Sequence, residues 1–229
     1  MDRRNFLTTG LAATAAFTSI RPATAGAAES KTVRIVGISC SPREGKTTAT
    51  AVKAALEAAK GVDPRIKTEF LDLGGLEISG SLGGTTSADS KQPEDDFELY
   101  VLPKLKDPVP DGLIIGSPSY FRTMSALCKA FLERLAVLRS PKLLLADKPV
   151  GVLAVGAYRN GGQELVIEQI QAAMLCHEVM IVGGKPGAHQ GATLWNNYND
   201  DITKDEFGMD SARKLGIRVA EAAIRLTQK

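Results

Sequence analysis

The apolar positions of this chain change period several times, and the changes mark out alternating strands and helices. Val33, Ile35, Val36 and Ile38 form a short apolar run that predicts a strand, and Ala49, Val52, Leu56 and Ala59 then recur at helical spacing. Gly61, Asp63 and Pro64 end that helix. Residues 65–73 alternate through Ile66, Thr68 and Phe70, which predicts a second strand beside the first. From Gly74 to Asp96 there is Gly, Ser, Thr and Asp without a period, hence a long loop. Phe97 to Leu105 is amphipathic but contains Pro103, so a short or kinked helix is expected. Asp111 to Gly116 is a third strand, apolar enough for burial on both faces, and Pro149 to Val155 is a fourth. Between them Met124, Leu127, Cys128, Phe131, Leu135 and Leu138 trace one helical face, on which Cys128 reads as core. Val166, Ile170, Ala173 and Met174 lie on the next helix, Val179 to Val182 gives a fifth strand, and Ala212, Leu215, Val219, Ala222 and Leu226 define a closing helix. This order predicts a three-layer α/β sandwich: a five-stranded parallel sheet with helices on both faces.

The first 27 residues do not fit that scheme. Arg3 and Arg4 precede a short apolar segment, Leu7 to Ile20, followed by Arg21-Pro22 and the small residues Ala23-Thr24-Ala25. The arrangement reads as a twin-arginine export signal, residues 1–27, which places the mature protein in the bacterial periplasm; a soluble N-terminal tail is the alternative. The apolar segment is too short and too polar to anchor the chain in a membrane. Cleavage there removes three arginines and one aspartate from 28 basic and 26 acidic residues, leaving 25 of each. A balanced charge gives no reason to expect a nucleic-acid partner. Cys40, Cys128 and Cys176 are the only cysteines, and their spacing matches neither a disulfide framework nor a zinc site.

Candidate chemistry begins where the first strand ends, in Ser39-Cys40-Ser41-Pro42-Arg43-Glu44-Gly45-Lys46-Thr47-Thr48. A loop that opens a helix offers unpaired N–H groups and the positive end of the helix dipole to an anion. Ser41, Thr47 and Thr48 add hydroxyls, and Arg43 and Lys46 add charge, which together suit a phosphate monoester. A P-loop would need Gly where Cys40 stands, and a dinucleotide fingerprint would need three closely spaced glycines where there are only Gly37 and Gly45. The remaining alternative is an ordinary strand-to-helix turn capped by Ser and Thr.

Ser41-Pro42-Arg43-x-x-x-Thr47-Thr48, Gly116-Ser117-Pro118-Ser119-Tyr120-Phe121 and Gly161-Gly162-Gln163-Glu164 occur in that order. They resemble the flavodoxin-like NAD(P)H-dependent FMN reductases, the group of the multimeric quinone-reductase flavoproteins and the iron-sulfur flavoproteins, from about Lys31 to the chain end. The resemblance implies one FMN-binding domain, residues 31–229, with the cofactor at the switch point of a flavodoxin-like sheet. It implies phosphate contacts from Ser41, Arg43, Lys46, Thr47 and Thr48. Pro118, Tyr120, Phe121 and Thr123 would line the flavin ring and ribityl chain, and Tyr158 and Gly161 belong to a third flavin-facing loop. Arg122 stands where relatives commonly have Gly, and either covers the flavin edge or points into solvent. The implied activity is FMN-dependent oxidoreduction of the quinone-reductase type with NAD(P)H as donor, and the alternative is an exported flavodoxin-like electron carrier. No general acid or base is assigned.

Relatives of this group are commonly dimers or tetramers, so a homo-oligomer is expected, with small-molecule redox partners or a redox protein. In the iron-sulfur flavoproteins a cysteine cluster would occupy the loop after the second strand; residues 74–96 contain no cysteine, so no iron-sulfur cluster is expected. His177, at a helix end, reads as compensating the helix dipole, and His189 sits in a Gly-rich loop without an evident role. Trp195 to Tyr198 is read as a wall of either a pocket or an interface.

Overall fold

The computed structural model describes residues 31–83, 92 and 94–228; the arginine pair and the predicted export segment lie outside them. Within Lys31–Lys229, β1 (Val33–Ser39), β2 (Ile66–Asp72), β3 (Gly112–Pro118) and β4 (Pro149–Gly156) run parallel in the order β2-β1-β3-β4. β3 and β4 are buried along their whole length, as continuous apolar runs flanked by helices require. β2 is the edge strand, and its middle residues are only half-buried.

The fifth position departs from expectation. One strand over Val179 to Val182 was the reading of the sequence, but β5 is only Met180–Ile181 and pairs with the first two residues of β4. A further strand, β6 (Ala192–Trp195), pairs with the last four residues of β4. The sheet therefore has six strands in five positions. Between β5 and β6 the chain folds back on itself so tightly that a Cβ on Gly183 would lie 1.6 Å from the His189 carbonyl oxygen, and the extended path is interrupted there.

Helices close both faces. α1 (Thr47–Lys60) and α5 (Glu206–Thr227) cover one side, where Val52, Leu56, Leu215 and Val219 meet Val33, Ile35, Ile114 and Leu153. On the other side Phe131, Val166 and Ile170 pack on Val36, Ile38, Ile115 and Val152. The segment around Pro103 is a π-helical turn, Phe97–Val101, running into α2 (Leu102–Lys106). Pro103 stands at the start of α2, directly after the π-helical turn, where it donates no N–H to that turn. α3 (Ala126–Arg134), followed by the 3₁₀ turn Leu135–Leu138, and α4 (Gln163–Leu175) complete this layer.

The end of α3 fastens the loop after β2. Arg134, only 5% exposed, pairs with Asp95 at 2.6 Å and with Glu98, and donates to the Ser79 carbonyl at 3.1 Å. Burial alone would raise the Asp95 carboxyl, but hydrogen bonds from Arg134 and from the Ser79 and Phe97 N–H groups outweigh it and bring it down to about 2. A depressed folded-state value means stability that is present above the unfolded value near 4 and is lost as pH falls through about 2. Asp95→Asn is expected to lower stability at pH 7 by about 2 kcal/mol. Urea midpoints measured from pH 6 to pH 2 should also show a flatter acid limb, and an unaltered limb would contradict this account.

Candidate active site

Four loops leave the C-terminal ends of β1, β3, β4 and β6 and meet over the sheet edge, where parallel α/β sheets bind their ligands. The first, Cys40 to Lys46, leads into α1, whose N-terminus has no side-chain cap. Its shape is held from two sides. Asp72, ending β2, accepts from the Gly45 N–H at 2.8 Å and the Gly74 N–H at 3.2 Å, and the Ser41 hydroxyl accepts from the Arg43 N–H at 3.2 Å. Beneath the loop lies Ser39, fully buried, with no partner for its hydroxyl. Strand alternation puts Ser39 on the α1 side of the sheet, after Val33, Ile35 and Gly37. An orphaned hydroxyl at an uncapped helix start is an unfilled demand for an anion.

The second loop joins β3 to α3. Tyr120 and Thr123 exchange backbone hydrogen bonds at 2.9 and 3.0 Å, and the two residues between them, Phe121 and Arg122, have φ of 51° and 65°. Two successive left-handed residues make a tight turn that favours Asn-Gly, so this turn holds backbone strain at the ligand edge. Ser125 fixes the loop's far end: its hydroxyl donates to the Cys40 carbonyl at 2.6 Å and accepts from the Cys128 N–H at 3.0 Å, capping α3. The third loop, Ala157 to Gly162, is tied to the second by the Ser119 hydroxyl, which donates to the Gly161 carbonyl at 2.6 Å. Gly162 has φ of 92°, and a Cβ there would lie 2.8 Å from the Arg122 Cα. Gln163 is buried and donates to the Tyr158 and Leu194 carbonyls, joining this loop to β6.

These loops enclose a cleft of about 250 Å³ walled by Arg43, Thr47, Pro118, Ser119, Tyr120, Ala157 and, from the fourth loop, Asn196, Tyr198 and Asp200. Of the residues assigned from the sequence, Arg43, Thr47, Pro118 and Tyr120 face it together. Thr48 is buried at the start of α1, and Ser41 shapes the loop through Arg43. Tyr158 packs edge-on against Tyr198, ring centroids 4.9 Å apart. Phe121 is fully exposed, and the Thr123 hydroxyl donates to the Met124 carbonyl. Arg122 lines a neighbouring polar cavity of about 480 Å³ with Arg159, Gln163, Glu164 and Glu168. Asn196 and Tyr198 belong to the stretch left open between pocket and interface; the structure puts both on the cleft.

Asp200 was not anticipated. Its carboxylate meets Arg43 at 2.6 Å and Lys46 at 3.2 Å, so one anion bridges both cations of the first loop. Hydrogen bonds from Arg43 and then Lys46 lower the Asp200 carboxyl below its ordinary value. Burial opposes the Arg43 charge, but Asp200, helped by Tyr120, more than offsets it and raises the Arg43 guanidinium. The histidines contribute no such chemistry. His177 is buried, its Nδ1 has no partner, and burial together with nearby Arg139 lowers its pKa. Burial and Arg139 favour the neutral form of His177, which weakens its compensation of the α4 dipole. His189 is exposed on the loop before β6.

Strand order 2-1-3-4 with a shared fifth position, and an anion cradle at the β1/β3 edge, define a flavodoxin-like α/β protein built for a phosphorylated ligand. The chain belongs to the NADPH-dependent FMN reductase family, which matches residues 33–193. It is 38% identical over 199 residues to an iron-sulfur flavoprotein of Methanocaldococcus jannaschii, covering 86% of this chain and all of that one. It is 32% identical to an iron-sulfur flavoprotein of Methanosarcina thermophila (80% and 93% covered), and 30% identical to an NAD(P)H dehydrogenase (quinone) of Trichlorobacter lovleyi (51% and 63% covered). Among solved structures it shares its fold with RosB bound to 8-demethyl-8-formylriboflavin-5'-phosphate, at TM-score 0.68 and 14% identity, covering 86% of this chain and 81% of that one. A WrbA-like flavodoxin from Agrobacterium tumefaciens has the same fold at TM-score 0.57 and 17% identity, with 85% and 99% covered.

The family's flavin and the relatives' iron-sulfur group fare differently against these residues. The orphaned Ser39 hydroxyl, the uncapped helix and the two cations fit the phosphate of FMN. A four-cysteine cluster does not fit, because the chain has three cysteines. Cys40 and Cys128 are sealed in the core, whereas Cys176 is exposed at the end of α4.

Ser125 links three parts of this edge, so its removal tests how rigidly they are coupled. Ser125→Ala leaves the Cys40 carbonyl and the α3 N-terminus without their partner and is expected to cost about 1–3 kcal/mol. Thermal and urea unfolding measure the loss directly, and a change below about 0.5 kcal/mol would show that water replaces the hydroxyl.

Proposed function

We propose that this chain is an FMN-dependent oxidoreductase that takes reducing equivalents from NAD(P)H and passes them to a quinone-type or other small acceptor. The carrying observation is the cradle between β1 and α1: an uncapped helix, an orphaned buried hydroxyl and two cations, at the strand edge where the other loops converge. Arg43, Lys46 and the α1 N–H groups hold the phosphate, with Thr47 and Thr48 beside it. Pro118 and Tyr120 wall the cleft that would take the flavin rings, Tyr158 packs against Tyr198 in its wall, and the Ser119–Gly161 hydrogen bond keeps the second and third loops from separating. FMN, when bound, supplies the hydride chemistry. The protein's own part is to fix one face of the rings, leave the other open and hold the charged tail. The relatives described as NAD(P)H dehydrogenases (quinone) support the donor and acceptor classes.

The reading includes export. Arg3-Arg4, the short apolar segment and Ala23-Thr24-Ala25 support twin-arginine transport to the periplasm, a route that carries folded proteins and so lets FMN be loaded first. Self-association into a dimer or tetramer is part of the proposal, on the model of the resembling flavoproteins.

The purified, folded protein is expected to retain a flavin absorption spectrum after incubation with FMN and desalting. Arg43→Ala should weaken FMN binding by roughly tenfold to a hundredfold, the range for one charge-assisted phosphate contact of about 1.5–3 kcal/mol. Fluorescence titration measures that loss, and stopped-flow bleaching of the flavin by NADPH or NADH tests the donor. Bound flavin without turnover of any nicotinamide and quinone pair would replace the enzyme with an electron carrier. A folded protein that retains no flavin would overturn both.

A further inference from the structure

The two cations that make the cradle attractive to phosphate already share an anion. Asp200 bridges Arg43 at 2.6 Å and Lys46 at 3.2 Å, and it reaches them from the loop between β6 and α5, more than 150 residues along the chain. The same loop puts Asn196 and Tyr198 into the wall of the cleft, and Asn197 and Tyr198 hold φ of 49° and 59° without being glycine. The enclosed volume, about 250 Å³, is below the roughly 300–1,000 Å³ of ordinary ligand pockets. The loop thus narrows the cleft beside the cradle. Its carboxylate takes the partners that the phosphate needs.

We propose that Asp200 is a built-in competitor for the flavin phosphate and sets the selectivity of the cleft between phosphorylated and unphosphorylated flavin. The inference rests on the flavin reading given above. A phosphate monoester carries nearly two charges and three acceptor oxygens, so it outcompetes a single carboxylate for an arginine and a lysine. It must still release the two ion pairs that Asp200 makes, and a carboxylate left beside a dianion repels it. Riboflavin presents the same rings without the phosphate and has no need of Arg43 or Lys46. Asp200 therefore weakens FMN binding specifically and brings the two flavins closer in affinity.

The test is a pair of fluorescence titrations, FMN and riboflavin, against the folded apoprotein and its Asp200→Asn variant, which keeps the shape and removes the charge. FMN should bind the variant roughly threefold to tenfold more tightly, the worth of two half-exposed ion pairs, while riboflavin changes by less than about twofold. Unchanged or weaker FMN binding would overturn the proposal and make Asp200 a residue that positions Arg43 and Lys46. Circular dichroism checks folding, and Asp200→Ala repeats the measurement if Asp200→Asn does not fold. Wild-type protein that binds neither flavin would defeat the flavin reading and this proposal with it. Wild-type binding with an unaltered FMN-to-riboflavin ratio in the variant would defeat this proposal alone.

Discussion

Burial of β3 and β4 on both faces, with β1 beside them almost as deeply sealed, is the constraint from which the ligand edge follows. Strands sealed by helices on either side satisfy their backbone groups only within the sheet, so polar chemistry is pushed to the strand ends. Parallel connection then sends every strand-to-helix loop to the same end. Arg43, Tyr120, Ala157 and Tyr198 come from four separate connections and still share one small cleft. The apolar core and the charged cradle are thus two results of one arrangement.

How much of this could be read beforehand depended on whether the signal was local. The first four strands were legible because each is a short apolar run with a sharp boundary. The fifth position was not, since its pairing residues are two and four in number and glycines interrupt them. Arg43, Lys46 and Thr47 were legible because strand, loop and helix follow one another within sixteen residues. Asp200 was illegible for the opposite reason: nothing near it in the chain marks it, and its partners are set by the fold alone. The run from Asn196 to Asp201 has turn-forming composition, which would have drawn notice had the four residues before it been recognised as a strand. Arg122 shows a further limit. Its place in the motif was clear, but its direction is decided by a strained turn and by contact with Gly162.

The likeness to iron-sulfur flavoproteins extends over nearly the whole chain, and the anion cradle between β1 and α1 is present, but the chain has only three cysteines. A flavin exchanges electrons either in pairs, as hydride, or singly, whereas an iron-sulfur cluster passes them only one at a time.

The loop after β2, where resembling flavoproteins would hold their cysteines, is fastened here by Arg134, buried among Asp95, Glu98 and the Ser79 carbonyl, while Glu133 accepts from the Ser81 N–H. Among the described residues this edge is fastened by ion pairs, so its order answers to acid.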